Sequence, residues 1–130
     1  VVVAIIGILA AIVLLGIGST RSRARDARRI SDLRQVQTAL ELDFSKNGVY
    51  PAAATWAGLT SGLVAANIGV AQVPNDPTPG KNYQYASDGV IYALGATLED
   101  AGNPALRDDI DADPISGGFD CADPVYCLQF

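Results

Sequence analysis

The first seventeen residues, Val1 to Ile17, form one apolar run without a charged or strongly polar side chain. A helix made from such a run exposes apolar surface on every face, so it needs lipid or other protein around it. A core helix buried on all sides is the alternative, but the rest of the chain is too small to bury one. The run is slightly shorter than the roughly 20 residues of a membrane span, and a missing N-terminal portion would close the gap. We therefore expect it to be inserted in a membrane at some stage.

The helical pattern continues past this run, but its character changes. From Arg21 onward, apolar residues recur at steps of three and four, which places them on one face of a helix. These residues are Ala27, Ile30, Leu33, Val36, Leu40 and Phe44. One helix is thus predicted from Val1 to Phe44, ending at Asn47-Gly48, where glycine suits a left-handed cap and Tyr50-Pro51 prevents continuation. Its length of about 65 Å exceeds that of a small domain, so residues 1–20 should project from a head of residues 21–130.

The rest of the chain predicts a small antiparallel sheet, which makes the fold class α+β. A short helix is expected around Thr55 to Leu63, and the proline-rich VPNDPTPG segment predicts turns. Alternating residues around a Ser87-Asp88-Gly89 turn predict a hairpin, and a last strand is expected through Val125 to Leu128. The predicted inward residues of the short helix are Trp56, Leu59 and Leu63. In the hairpin, Tyr83 and Tyr85 alternate with Gln84, and Val90, Tyr92 and Leu94 alternate with Ile91 and Ala93.

Charge is divided unevenly between the two parts of the chain. Residues 1–34 carry six arginines against two aspartates, a net charge of +4, whereas residues 35–130 carry three basic and twelve acidic groups, a net charge of −9. An acidic head argues against nucleic acid as its main ligand. The arginines at 21, 23, 25, 28 and 29 form either a solvated charged face or a collar that meets the acidic heads of neighbouring subunits. Asp26 lies at helical contact spacing from Arg23 and Arg29, and Asp32 from Arg28.

Catalysis is not expected from this sequence. It contains no histidine, which removes the commonest general base and most nucleophilic triads. It also lacks the G-x-S-x-G, Walker and dinucleotide-binding glycine motifs. We therefore predict a protein that is not an enzyme.

The apolar stretch VVVAIIGILAAIVL, followed by a polar helix and a small C-terminal domain, resembles the N-terminal helix of type IV pilins and of the pseudopilins of type II secretion. The order G-x-YP, DP and YQYASDGVIYALG in the head is similar as well. The resemblance implies a pilin-like fold and a structural subunit of a cell-surface pilus that serves adhesion, motility or DNA uptake. Side chains implied in packing of the filament core are Val1, Val2, Val3, Ile5, Ile6, Ile8, Leu9, Ile12 and Val13.

The resemblance also implies partners and a location. Copies of the chain would assemble into a helical filament from an inner-membrane pool, with the head outside the cytoplasm. The pilus assembly machinery would act on the subunit. In the family the apolar run begins a few residues earlier, after a short basic leader that a prepilin peptidase removes, so the mature chain is expected to have a few residues ahead of Val1. By the positive-inside rule, the arginine cluster after the apolar run would lie in the cytoplasm. This orientation is the opposite of the one that the resemblance implies, in which the head lies outside. A pseudopilin of a secretion system and a membrane-anchored calcium- or glycan-binding module are the alternative functions.

Three glycines lower the stability of the apolar helix, namely Gly7, Gly16 and Gly18. Each costs a helix about 1 kcal/mol relative to alanine. We predict that in the assembled state the helix is irregular somewhere between Gly7 and Ser19, where neighbouring subunits can shield the freed backbone groups.

Two further features lie near the C-terminus. Cys121 and Cys127 suit one disulfide formed outside the reducing cytosol. Four carboxylates, at Asp109, Asp111, Asp113 and Asp120, match positions 1, 3, 5 and 12 of an EF-hand-like loop, a spacing that turns alternate carboxylates toward a hard cation. Pro114 occupies the position of the usual glycine. These residues are candidate Ca²⁺ ligands, an assignment that the resemblance to major pseudopilins favours, and a solvated acidic loop is the alternative.

Overall fold

The computed structural model describes residues 1–112 and 118–130, without the side chain of Leu15, and has an α+β architecture. A long helix is followed by a short helix and by a three-stranded antiparallel sheet, which confirms the predicted fold class and its pilin-like layout. The elements are α1 (Val2–Asn47), α2 (Trp56–Ala65), β1 (Gln84–Ser87), β2 (Tyr92–Thr97), a 3₁₀ helix (Pro104–Arg107) and β3 (Val125–Gln129).

Helix α1 contains 46 residues and is therefore about 70 Å long. All described side chains from residue 1 to residue 20 are exposed, and burial begins near Ser22. We call residues 1–20 the stem and residues 21–130 the head. The helix ends as predicted, because Gly48 takes φ = 74° and donates its backbone N–H to the Phe44 carbonyl at 2.7 Å. By length and composition, α1 is the one helix among the described residues that is able to cross a membrane.

Helix α2 lies beside the C-terminal half of α1. The Thr55 side chain caps its first turn by accepting the Gly58 N–H, and Trp56, Leu59 and Leu63 are buried as predicted. Lys46 near the end of α1 donates to the Ala66 carbonyl at 2.6 Å, which joins the C-terminal ends of the two helices.

The sheet has the strand order β1-β2-β3, so β2 is central. Tyr85 lies opposite Leu94, and Leu94 lies opposite Leu128. The predicted hairpin and last strand are confirmed, but the hairpin turn is longer than expected. Val90 is 74% exposed and belongs to the turn, because Asp88 accepts the N–H groups of both Val90 and Ile91 and so delays the strand until Tyr92.

The core lies between α1, α2 and one face of the sheet. It includes Leu33, Val36, Leu40, Trp56, Leu59, Leu63, Tyr83, Tyr85, Tyr92 and Leu94. The prediction that Ala27 faces the head was wrong, because Ala27 is exposed. Phe44 lies at the edge of the core: it is 38% exposed, and its ring stacks on that of Tyr50. At the level of Ala27 the buried positions belong to Asp26 and Arg29, because the head presents polar loops there.

The C-terminal segment covers the other face of the sheet. Phe119 packs so closely on Gly95 that a Cβ there would collide with its ring. The predicted disulfide between Cys121 and Cys127 is confirmed, and both cysteines are buried. Between β2 and β3 lies the 3₁₀ helix, which Asn103 caps by accepting the Ala105 N–H.

Candidate functional site

The stem presents apolar side chains to its surroundings on every face. The nine residues predicted for the filament core all lie on it, and their exposed fractions range from 53% at Ile5 to 102% at Val1. The most apolar 18-residue window of α1 has a mean hydropathy of 2.8, and none of that window is buried within the chain. Removal of this much apolar surface from water requires lipid or other protein chains.

The helix runs without interruption through Gly7, Gly16 and Gly18. Apart from the backbone of the helix itself, no atom lies within 4 Å of the position that a Cβ would take at any of the three. Each glycine therefore borders open space in the single chain. The predicted irregularity concerns the assembled state and stays a prediction.

Where stem and head meet, Arg29 forms the centre of an ionic joint, which we define as Arg25, Asp26, Arg29, Asp76 and Glu99. The Arg29 side chain is fully buried. Its guanidinium donates to Asp26 Oδ1 at 2.7 Å, to both oxygens of Asp76 at 2.8 and 3.0 Å, and to Glu99 Oε1 at 2.9 Å. One arginine thus ties α1 to two separate loops of the head.

Asp26, also fully buried, provides a second connection between α1 and the same part of the head. Its two carboxylate oxygens accept the backbone N–H groups of Glu99 and Asp100, both at 2.9 Å. Arg25 adds a bidentate pair with Glu99 at 2.7 and 2.6 Å. The joint therefore fixes the loop after β2 directly against the helix.

The joint changes the acidities of its carboxyl groups. The hydrogen bond from Arg25 lowers the pKa of Glu99 to about 2. Burial opposes this decrease, and a hydrogen bond from Arg29 adds to it. Burial alone would raise the pKa of Asp76, but hydrogen bonds from Arg29 and from Thr78 outweigh it and lower that pKa. Both side chains remain ionised through the neutral range, as ion pairs with arginine require.

This geometry corrects part of the interpretation of the arginine cluster. The expected contacts of Asp26 with Arg29 and of Arg28 with Asp32 are present, at 2.7 and 3.7 Å. Arg23, however, pairs with Asp100 at 3.5 Å. Arg23, Arg25 and Arg29 thus find acidic partners in their own head, which leaves less charge for a collar that contacts other subunits.

Sequence reasoning missed Asp76 and Glu99 because their partners lie 47 and 70 positions away in the chain. Helical spacing reveals only pairs three or four residues apart. The one local signal was the Asn75-Asp76-Pro77 turn, in which Asp76 Oδ1 also accepts the Thr78 N–H at 2.7 Å.

The second candidate site is a cluster of three carboxylates, Asp109, Asp111 and Asp123, whose oxygens lie within 4.8 Å of one another. Two of these are predicted calcium ligands, and Asp123 replaces Asp120. Asp120 is instead engaged locally, since its Oδ1 accepts the Ala122 N–H at 2.9 Å. Asp113 lies outside the described residues.

Asp109 connects this acidic cluster to the sheet. Its Oδ2 accepts the Cys127 N–H of β3 at 2.9 Å, whereas its Oδ1 is buried without a hydrogen-bond partner among the described residues. Burial raises the pKa of Asp109, and the nearby charges of Asp111 and Asp123 add to this increase. A buried oxygen without a donor, next to two further carboxylates, is suited to a hard cation such as Ca²⁺.

Comparison of the chain with protein-family models, with curated proteins and with solved structures finds no match.

Proposed function

We propose that this chain is a structural subunit of a type IV pilus on the cell surface and belongs to the type IV pilin family. The observation that supports this most directly is the stem, an uncharged helix exposed on every face that projects from a folded head. In a filament, the stems of neighbouring copies would cover one another through Val1, Val2, Val3, Ile5, Ile6, Ile8, Leu9, Ile12 and Val13.

Assembly moves the stem from one apolar environment to another. The stem leaves the hydrocarbon of the inner membrane and enters a bundle of other stems, so apolar burial contributes little net free energy. Packing between stems, polar contacts between heads and the assembly machinery then set the direction. The ionic joint supports this mechanism because it holds head and helix together while the subunit is moved.

The proposal includes a location and a set of partners. Before assembly the subunit lies in the inner membrane with its head outside the cytoplasm, and a prepilin peptidase processes its precursor. The filament serves adhesion, surface motility or DNA uptake. No specific nucleic acid binding is expected, because the head is acidic and three of the arginines next to the stem pair within it.

The test is to shear the surface of cells that produce the chain and to image the released material by electron microscopy. Mass spectrometry identifies the subunit of any filament. The proposal expects filaments built of this chain in the sheared fraction and a second pool in the membrane fraction. A chain found only in membranes, with no filament, would contradict it.

Two alternatives predict other results in the same experiment. A pseudopilin would form a filament that stays inside the cell envelope, and its loss would stop protein secretion. A membrane-anchored calcium- or glycan-binding module would remain monomeric in the membrane. The apolar stem is covered in a polymer and also in a membrane-embedded monomer, so the presence or absence of filaments distinguishes these two functions.

We also propose that Asp109, Asp111 and Asp123 bind Ca²⁺. The supporting observations are the proximity of the three carboxylates and the buried Oδ1 of Asp109, for which the described residues provide no hydrogen-bond donor. The ion would neutralise the mutual repulsion of the cluster and, through the bond from Asp109 to Cys127, would stiffen the edge of the sheet. Its role would be structural.

A further inference from the structure

A shallow apolar groove runs along the head between the C-terminal half of α1 and the segment that follows α2. Its volume is about 270 Å³, and its apolar wall consists of Ala39, Leu42, Leu63, Val70, Val73 and Pro74. The other residues that line it are Gln35, Val36, Thr38 and Gln72, and none of these carries a charge. Leu42 is 52% exposed, although large apolar side chains of the head are otherwise mostly buried. The groove is therefore suited to an apolar partner.

Two occupants are excluded by the geometry of α1. The stem of the same chain cannot reach the groove, because α1 is one continuous helix and Ile17 lies about 37 Å from Leu42 along its axis. Lipid chains cannot reach it either. If the stem spans the bilayer, the charged Arg21 marks the edge of the hydrocarbon, and Ala39 lies about 27 Å beyond that edge.

We infer that the groove receives the stem of a second copy of this chain, an inference that rests on the proposed filament. The stem offers the matching chemistry: it has no charge, all its described side chains are exposed, and Ile5, Leu9 and Ile12 lie at i, i+4 and i+7 on one face. Such a face is what a helix presents to an apolar groove.

The stoichiometry of this contact agrees with a filament. Each copy carries one stem and one groove, and these are different surfaces, so the contact between two copies is heterologous. Heterologous contacts repeat from copy to copy and generate an open helical assembly unless they close into a ring. The groove thus gives the apolar stem a second binding surface, in addition to the stems of its neighbours.

The first test uses disulfide cross-linking in sheared filaments of the full chain. Both native cysteines are already paired, so introduced cysteines report without interference. Leu42→Cys is combined in turn with Ile5→Cys, Leu9→Cys and Val13→Cys, and the filaments are oxidised. At least one combination is expected to give a ladder of cross-linked multimers. The control pairs each stem cysteine with Val90→Cys, on the exposed hairpin turn, and should give none.

The second test is assembly itself. Leu42→Glu is expected to reduce the amount of sheared filament about tenfold or more, with the membrane pool and the melting temperature unchanged. Val90→Glu, also at an exposed apolar position, should leave filament yield near that of the parent. Filaments without any stem-to-groove cross-link, or full assembly of Leu42→Glu, would overturn the inference and leave the proposed function standing. Absence of filaments from the parent would reject both.

Discussion

Arg29 and Asp76 lie 47 positions apart in the chain and form a bidentate ion pair with N–O distances of 2.8 and 3.0 Å. Both side chains are almost completely buried, at 0% and 3% exposure. Bidentate pairs between arginine and carboxylate are among the stronger polar contacts in proteins. This pair closes the proline-rich turn onto α1 nine residues beyond the end of the stem. It therefore fixes a loop of the head to the same helix that continues as the stem.

The first prediction concerns this joint. Arg29→Met leaves the buried Asp26 and Asp76 without their cationic partner, and removal of one member of a buried pair typically costs about 3–5 kcal/mol. We expect a decrease of this order in the free energy of unfolding, measured by denaturant titration of the full chain in detergent.

Arg28→Met is the matched control for that change. Arg28 also lies on α1 and faces an aspartate, Asp32, but its side chain is 63% exposed and the separation is 3.7 Å. The Asp32 side chain is 13% exposed and keeps the hydrogen bond from the Tyr83 hydroxyl, so the loss of its exposed arginine partner should cost about 1 kcal/mol at most. If Arg29→Met destabilised the head no more than Arg28→Met, the joint would not have the role assigned to it.

The second prediction is acid sensitivity. Hydrogen bonds from arginine lower the pKa of Glu99 from 4.5 to about 2. A carboxyl group with a lowered pKa in the folded state adds stability above its unfolded pKa, and this contribution is lost as the pH falls through the folded value. Asp76 has a lowered pKa as well and acts in the same direction. We therefore expect the melting temperature of the head to fall between about pH 4.5 and pH 2.

Glu99→Gln isolates the contribution of one side chain to this decline. The variant should be less stable than the parent at neutral pH, and the difference should shrink toward pH 2, where the parent also loses the charge. Parallel pH profiles for parent and variant would show that Glu99 does not titrate as described.

Much of this architecture could be predicted from the sequence because it depends on local patterns. The end of α1 at Gly48, the inward face of α2 and the paired strands each follow from periodicity or turn chemistry within a few residues. The joint could not be predicted, since Asp76 and Glu99 meet Arg29 only after two loops have folded. The stripe on α1 was misread at Ala27 for the same reason: polar loops of the head select Asp26 and Arg29 as the buried positions there.

The candidate metal ligands show a similar limit. The EF-hand spacing grouped Asp109 with Asp111, and the two do lie in one carboxylate cluster, but this spacing assumes a loop flanked by helices. Here β3 follows and its Cys127 N–H binds Asp109, while Asp120 is used in a local turn. Asp123 is the third carboxylate of the cluster, and it lies outside the twelve positions of an EF-hand loop that begins at Asp109.

The third prediction is stabilisation by calcium. Burial raises the pKa of Asp109, so the stability linked to its protonated form is lost as the pH rises through that value. A bound Ca²⁺ reverses this loss by favouring the ionised cluster. A free ion concentration about a hundredfold above the dissociation constant would add about 2.7 kcal/mol.

Calorimetry of the full chain with and without millimolar Ca²⁺ checks this expectation. Asp123→Asn should abolish the increase in melting temperature, whereas Asp120→Asn should retain it. An unchanged melting temperature in the parent would mean that the three carboxylates form only a solvated surface.

The fourth prediction concerns the disulfide. Replacing both Cys121 and Cys127 by alanine releases a short loop, and loop-closure entropy predicts a loss of about 2 kcal/mol in unfolding free energy. Beyond this loss, which all parts of the head share, β3 and the neighbouring acidic cluster should open locally more often. Hydrogen exchange is therefore expected to rise more in β3 than in α2, and an equal rise across the head would contradict a local role.

The fifth prediction addresses the glycines of the stem. Gly7→Ala, Gly16→Ala and Gly18→Ala meet no neighbouring atom in the single chain, so they should leave the membrane-inserted subunit stable. Each should strengthen the helix by about 1 kcal/mol and so oppose an irregular segment in the assembled state. The triple variant is expected to yield fewer filaments, and normal yield would indicate that the helix stays regular on assembly.

The central claim is that stems of many copies form the core of a filament. Its most direct test is a helical reconstruction, by electron cryomicroscopy, of filaments sheared from cells that produce this chain. We predict a core in which residues 1–17 of neighbouring copies pack together, with the heads outside and a stretched or irregular helical segment between Gly7 and Ser19. A filament whose core lacks these residues, or surface material without any filament of this chain, would contradict the claim.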